Sequence, residues 1–181
     1  MAHPTVVNDA QVALLGLLSE RPMHAWEIER TAKHRDMRFW TDLSTSTIYK
    51  HLNALEKTGH VHSSEEAIGG RLRRTYSLTD EGSSALKERL RDILSEPQHL
   101  KWRIDLGTYN IDLLPRDEAV ACLEAYRQAL GEAARGYREL DEYLDGSGCP
   151  LHRRAVARRP MHLLEGEMRW ADEFLDELRR S

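Results

Sequence analysis

Hydroxyl, amide and cationic side chains are concentrated on one predicted helix and on a glycine-hinged hairpin that follows it. Such groups donate hydrogen bonds to base edges and phosphate oxygens, which is the chemistry of nucleic-acid recognition. The residues of this set are Ser44, Thr45, Ser46, Thr47, Tyr49, Lys50, Asn53, Lys57, Arg71, Arg73 and Arg74. Together they predict a surface that contacts double-stranded DNA.

The helix that would present most of these groups has clear signals at both ends. Ser44 can cap its start, because a serine hydroxyl accepts from an otherwise unpaired amide in the first turn. Ile48, Leu52 and Leu55 recur at helical spacing and predict one core-facing stripe. Gly59 can end the helix in the left-handed region. The polar set therefore occupies the opposite, solvent-facing side.

Further helices and strands are predicted before and after this helix. Helices are predicted at Gln11–Leu18 and His24–Lys33 before it, and short strands at His60–Ser64 and Leu72–Leu78 after it. Gly69-Gly70 permits the tight reversal between the strands. Thr79 opens a further helix to about Leu94, with Leu86, Leu90 and Ile93 or Leu94 inward. This order predicts a winged helix-turn-helix.

The second half is predicted to be helical throughout. Residues 99–114 are apolar and aromatic and predict a helix, Pro115 begins the longest helix, and a last helix follows Pro150. Apolar residues in the two long helices alternate spacings of four and three, as in helices packed lengthwise on a partner. A second copy of the chain is the simplest further partner. The predicted dimerisation residues are Leu123, Tyr126, Leu130, Tyr137, Leu140, Leu164, Met168 and Leu175.

The charge distribution is compatible with DNA binding despite a net charge of −4. Residues 1–95 hold 13 Lys and Arg and 13 Asp and Glu, so the deficit lies in the second half. Residues 50–74 are locally basic, which predicts salt-sensitive binding. No apolar run is long enough to span a bilayer, so we expect a cytoplasmic protein without membrane contact. Cys122 and Cys149 are expected to be free thiols.

Other chemistry is weakly represented in the sequence. His60 with His62, and Cys149 with His152, lack the further ligands of a tetrahedral metal site, and no catalytic constellation is present. We therefore expect neither a cofactor nor an enzyme. Three aromatic residues of the second half are expected to line an effector pocket for a small hydrophobic compound. The alternative is that they fill the core between the two domains. These residues are Trp102, Tyr109 and Trp170.

Four segments of the first half carry a resemblance to a known family: Leu14–Leu18, Pro22-Met23-His24 with Trp26-Glu27, Ser44–Val61 and Arg73–Gly82. On these segments, the chain resembles the PadR family of bacterial transcriptional regulators. Its tail resembles the virulence-activator-alpha type of helical extension. Ser46 and Lys50 stand where such regulators usually have glycine and proline, so the operator preference of the family is not carried over to this chain.

These observations predict a mainly α protein with two domains. Residues 1–95 would form the winged helix-turn-helix domain, and residues 96–181 an antiparallel helical dimerisation domain. The expected function is sequence-specific transcription regulation, as a repressor, by a homodimer on a palindromic operator. Two alternatives stay open: a winged protein-interaction module that does not bind DNA, and a metal-responsive sensor.

Overall fold

A computed structural model describes residues 7–68 and 71–180, with the side chains of residues 66–68, 71 and 72 outside the described set. The protein is mainly helical, as predicted, and contains a small three-stranded antiparallel sheet. It divides into two compact units, Met1–His99 and Leu100–Ser181. In the part of the chain that the structure describes, none of the helices has the length and apolar character needed to cross a membrane.

The first unit has the predicted order of helices and strands, with one additional strand. Its elements are α1 (Asp9–Leu18), β1 (Met23–His24), α2 (Ala25–His34), a 3-10 turn (Met37–Phe39), α3 (Thr45–Lys57), β2 (Val61–Ile68), β3 (Arg71–Leu78) and α4 (Asp80–Ser95).

One hydrophobic core holds the first unit together. The stripe of Ile48, Leu52 and Leu55 on α3 is fully buried, as the sequence predicted. It packs against the leucine-rich face of α1, where Leu14 and Leu15 are completely inaccessible. Each such leucine or isoleucine stabilises the fold by about 1.5–3 kcal/mol through the apolar surface it removes from water. The opposite face of α3 is left at the surface.

The sheet is larger than the sequence indicated. β3 lies between β1 and β2, with Met23 opposite Tyr76 and Val61 opposite Leu78. Both hairpin strands extend to the glycine pair, beyond the predicted bounds. β1 was not predicted, because a strand of two residues is too short to show alternation.

The inward positions predicted for the end of α4 are wrong for this unit. Leu86 is buried and α4 packs on α1, but Leu90, Ile93 and Leu94 are 40%, 43% and 85% exposed. Helical periodicity identified an apolar face without showing how far the neighbouring helix extends beneath it.

Two glycines shape the junction between α3, the hairpin and α4. Gly59 has φ +76°, the left-handed conformation predicted for the helix end. Gly82, in the first turn of α4, lies against the turn at His60, and a Cβ there would stand 2.0 Å from the His60 carbonyl oxygen. Thr79 caps the same helix by accepting from the Gly82 amide at 3.0 Å. Only a residue without a side chain allows this close approach.

A polar contact joins α3 to the hairpin. The Arg74 guanidinium donates to Glu56 at 2.5 Å and to the Ser63 hydroxyl at 2.8 Å, and Ser63 donates to Glu56 at 2.5 Å. The hydrogen bond from Ser63, with the charge of Arg74, holds the pKa of Glu56 below its usual value, although partial burial opposes this. We refer to Glu56, Ser63 and Arg74 as the clamp.

The second unit is built on two long helices. Its elements are α5 (Arg103–Tyr109), a 3-10 turn (Ile111–Leu113), α6 (Arg116–Gly146) and α7 (Leu151–Arg180). Residues 99–114 are thus only partly helical, contrary to the continuous helix predicted. α6 and α7 run antiparallel, since Arg127 contacts Asp172 at 2.9 Å and Arg154 contacts Asp141 at 3.2 Å. Their packing buries Leu123, Leu130 and Leu175 within one chain.

The close approach at Gly82 predicts a large effect of a small substitution. Gly82→Ala should lower the free energy of unfolding by about 2–3 kcal/mol, because the methyl group overlaps the His60 backbone. The matched control is Gly16→Ala in α1, where an added Cβ meets nothing within 4 Å. It should raise stability by about 0.5–1 kcal/mol through helix propensity. Urea unfolding followed by circular dichroism measures both, and equal midpoints would contradict the packing described.

The clamp predicts a pH-dependent contribution to stability. Arg74→Ala should lower the free energy of unfolding by about 0.5–1 kcal/mol at pH 7. Because the folded-state pKa of Glu56 is lowered, its stabilisation is present above the ordinary value of 4.5 and is lost as pH falls through the lowered pKa. The difference between wild type and variant should therefore shrink below pH 4.5. Arg73→Ala is the control. Urea unfolding midpoints measured across pH 3.5–7 compare the variants with wild type. A difference in stability that does not change with pH would refute this role of Glu56.

Candidate nucleic-acid interface

The first turn of α3 is fixed by its own hydroxyl groups. Ser44 Oγ accepts from the Thr47 amide at 3.3 Å, while Thr47 Oγ1 accepts from the Ser44 amide at 2.7 Å. Thr47 Oγ1 also lies 3.1 Å from the Asp42 carbonyl and is half-buried. The cap predicted at Ser44 is confirmed. Ser44 and Thr47 use their hydroxyl groups in this cap, so these groups orient the helix and are not free to bind a ligand.

Thr45 connects α3 to the preceding helix. Its hydroxyl donates to Glu29 Oε1 on α2 at 2.5 Å. This contact fixes the start of α3 relative to α2. The Thr45 side chain is exposed, but its proton is already engaged.

The unengaged groups lie further along α3. Tyr49, Lys50, Asn53 and Lys57 are exposed, and in the described parts of the chain none of them has a hydrogen bond or ion pair. Ser46 is exposed too, with its hydroxyl 3.1 Å from that of Ser44. These five residues follow helical spacing and share the face opposite the buried stripe. This face is the strongest candidate for contact with a polyanion, and we call it the α3 face.

The hairpin separates its predicted contact residues into different roles. Arg73 is exposed, opposite Glu66 in the strand register. Arg74 belongs to the clamp, and its guanidinium also lies 5.4 Å from the ring centroid of Tyr76. The side chain of Arg71 and the Gly69-Gly70 pair lie outside the described residues. Arg73 is therefore the hairpin cation that the structure presents for contact with a partner.

The charge of the α3 face comes from lysine. His51 is adjacent to Lys50, and burial, with the neighbouring Lys50 charge, lowers the pKa of this histidine below its ordinary 6.5. His51 is accordingly neutral at physiological pH. Lys50 and Lys57 then supply the positive charge of the α3 face.

Sequence reasoning missed an aromatic feature beside α3. Phe39 and Trp40 are 72% and 53% exposed and line a cavity of about 480 Å³ with Arg38, Thr47 and His51. From the sequence, the segment Asp36–Leu43 indicates only a turn before α3, because its residues show no helical or strand period. The available signal was two adjacent aromatic residues in a polar stretch without periodicity, a pattern that core packing does not explain.

The predicted dimerisation residues fall into two groups. Leu123, Leu130 and Leu175 are buried between α6 and α7 of the same chain. The others retain accessible surface, and Leu140 is 41% exposed. These remaining residues are Tyr126, Tyr137, Leu140, Leu164 and Met168.

Two of the three predicted effector-pocket residues come together. Trp102 and Trp170 line one cavity of about 240 Å³, with Ile104, Asp105 and Glu167. The cavity lies entirely within the second unit. Tyr109 is 87% exposed and does not line it. Among the described residues, no group of three or more histidines, cysteines or acids is placed to hold a metal ion.

Comparison with known structures gives the same fold over nearly the whole chain. PadR of Bacillus subtilis, solved in complex with operator DNA, has a TM-score of 0.77 at 22% identity, covering 93% of this chain and 98% of that one. The same protein with p-coumaric acid gives 0.76 at 22% identity, covering 93% and 94%. The virulence activator AphA of Vibrio cholerae gives 0.67 at 18% identity, covering 95% and 99%. No curated protein sequence matches the chain.

The family assignment rests on the first unit. Residues 14–88 match the model of the transcriptional regulator PadR-like family, and this range contains the α3 face, the hairpin and the clamp. The predicted resemblance is confirmed. The chain therefore contains, over residues 14–88, a domain that matches the transcriptional regulator PadR-like family.

Proposed function

We propose that this protein is a sequence-specific DNA-binding transcriptional regulator that represses its target genes as a homodimer. The observation that carries the proposal is the α3 face, a row of exposed polar side chains within the PadR-like domain; four of them, Tyr49, Lys50, Asn53 and Lys57, have no hydrogen bond or ion pair to the described residues. Residues 1–95 would bind DNA and residues 96–181 would dimerise. The operator complex of Bacillus subtilis PadR, whose fold is similar, supports this assignment.

The contacts of the α3 face with DNA follow from its side-chain chemistry. In a major groove, the Asn53 amide can pair with an adenine edge, and the Lys50 ammonium can reach a guanine edge or a phosphate. Arg73 on the hairpin would contact an adjacent phosphate. Ser44, Thr45 and Thr47 orient the helix, because their hydroxyl groups already hydrogen-bond to protein partners.

The clamp gives Arg74 a positioning role. Its guanidinium is bound by Glu56 and Ser63, so the hairpin is held against the end of α3. A fixed hairpin places Arg73 at a set distance from the α3 face. The protein can then contact base edges and the backbone in one register, which specific recognition requires.

Dimerisation is supported by the apolar surface of the second unit. Large apolar side chains stay exposed there, a pattern that marks interaction surfaces. On the two long helices they are Leu140, Tyr143, Leu151, Val156 and Leu163. A two-fold dimer would present two α3 helices and would read a palindromic site with half-sites about one helical turn, or a multiple of it, apart.

Repression requires a means of release from DNA. A ligand acts in this way if it prefers the dimer arrangement that does not fit the operator. The complex of Bacillus subtilis PadR with p-coumaric acid supports a small-molecule effector. The cavity at Trp102 and Trp170 is the site we assign to it.

Lys50→Ala and Arg73→Ala should each weaken duplex binding, because each removes one phosphate contact. The slope of log affinity against log salt concentration should become shallower by about one unit in each variant. Fluorescence anisotropy with a duplex selected from a random-sequence library measures both quantities. If Lys50 contacts a guanine instead, discrimination at one base pair falls by about 1–3 kcal/mol while the slope is retained.

Lys87→Ala on α4 is the matched control, since Lys87 is an exposed lysine outside the α3 face and the hairpin. It should bind as wild type does. Failure of the wild-type protein to bind any duplex would favour the alternative of a winged protein-interaction module, for which the balanced charge of residues 1–95 is the supporting observation.

Leu140→Asp should convert a dimer into a folded monomer. Leu140 is 41% exposed within one chain, so a carboxylate there is tolerated by the monomer. In a dimer seam the same charge would be buried without a partner, at a cost of several kcal/mol. Sedimentation velocity at micromolar concentration distinguishes the two states, with Leu140→Met as the apolar control. A dimer that persists in Leu140→Asp would place the interface elsewhere.

A further inference from the structure

The cavity of the second unit brings together two indole rings and two carboxylates. Trp102, Ile104 and Asp105 come from the start of α5, and Glu167 and Trp170 come from α7, about one helical turn apart. Its volume of about 240 Å³ is slightly below the range typical of drug-sized ligands, so it suits a small molecule.

The charge of this cavity is negative and uncompensated. Neither Asp105 nor Glu167 has an ion pair in the described parts of the chain, and no lysine or arginine lines the cavity. Tyr126 donates its hydroxyl proton to Glu167 Oε1 at 2.6 Å, which orients the carboxylate without neutralising it. Burial, with Glu167 and Asp105 nearby, raises the pKa of Tyr126 to about 12. The phenol therefore stays a neutral donor at physiological pH.

The indole rings add a second attraction for positive charge. The face of a tryptophan ring is electron-rich and binds cations within about 6 Å of its centroid. Trp170 is half-buried and stacks on Phe174, with centroids 5.7 Å apart and an interplanar angle of 22°. Trp102 is 42% exposed, so part of its side chain is accessible to a ligand.

We infer that this cavity binds a small planar organic cation, held between the tryptophan rings and the carboxylates of Asp105 and Glu167. Because this cation would act as an effector, the inference rests on the proposed function. It also distinguishes this chain from Bacillus subtilis PadR, whose bound p-coumaric acid carries a carboxyl group. Such an acid would meet two carboxylates here. A hard metal cation is a poor occupant, since two carboxylates supply fewer oxygen ligands than Ca²⁺ takes.

The test compares three aromatic probes of similar size and different charge by isothermal titration calorimetry without DNA. N-methylquinolinium should bind the wild-type protein, 2-naphthol more weakly, and 2-naphthoate more than about tenfold more weakly than the cation, because like charges repel across a small site. Equal affinity for the three probes, or no binding of the cation, would overturn the inference.

Charge-removing variants assign the binding to this cavity. Asp105→Asn and Glu167→Gln should each lower the affinity for the cation by about two- to fivefold and leave the affinity for 2-naphthol unchanged, since each removes charge with little change of shape. Trp170→Phe should lower the affinity for the cation and for 2-naphthol. The matched control is Glu173→Gln, an exposed carboxylate on α7 that does not line the cavity. An equal effect of the control would overturn the assignment.

A separate titration distinguishes the ligand site from the function on which it rests. The cation should lower the affinity for the selected duplex in wild type, and less so in Glu167→Gln at the same concentration. Cation binding that leaves DNA affinity unchanged would overturn the effector role. Cation binding by a protein that binds no duplex would overturn the proposed function and leave the cavity assignment standing.

Discussion

The burial of one face of α3 is the constraint on which the rest of the first unit depends. Ile48, Leu52 and Leu55 are inaccessible beneath α1, α2 and the sheet, so the helix cannot rotate without exposing them. Because helical spacing is fixed, the residues on the opposite side must then face solvent. The α3 face is thus exposed as a consequence of core packing, and its polar side chains are arranged on a rigid support.

The polar residues around α3 divide between positioning and contact. Ser44, Thr45 and Thr47 hydrogen-bond to the backbone or to Glu29, and Arg74 is bound by Glu56 and Ser63. Tyr49, Lys50 and Asn53 remain unpartnered among the described residues. The first group limits the motion of the second, and a fixed donor loses less conformational entropy when it binds a partner. Recognition by the second group therefore depends on residues that need not touch the ligand.

The two units differ in how completely they bury their own apolar surface. The first has a continuous core drawn from four helices and the sheet, whereas the second buries few large side chains between α6 and α7. A pair of antiparallel helices cannot cover both broad apolar surfaces, because each helix turns only one side toward the other. The remaining surface is available to a second copy of the chain, and the opening beside α5 and α7 is available to a ligand.

The sequence determined the elements that local chemistry specifies. The cap at Ser44, the glycine at residue 59, the buried stripe of α3, the paired strands and the two long helices all follow from short-range signals. The order of motifs indicated the resemblance to the PadR family. Only the tertiary structure decided which partners each side chain meets. It brought Arg74 into contact with Glu56, buried Leu123 and Leu130 within one chain, and placed Trp102 and Trp170 around one cavity that Tyr109 does not line. The physical reason is that periodicity shows which face of a helix is apolar, whereas the neighbour that covers it is set by the packing of residues distant in sequence.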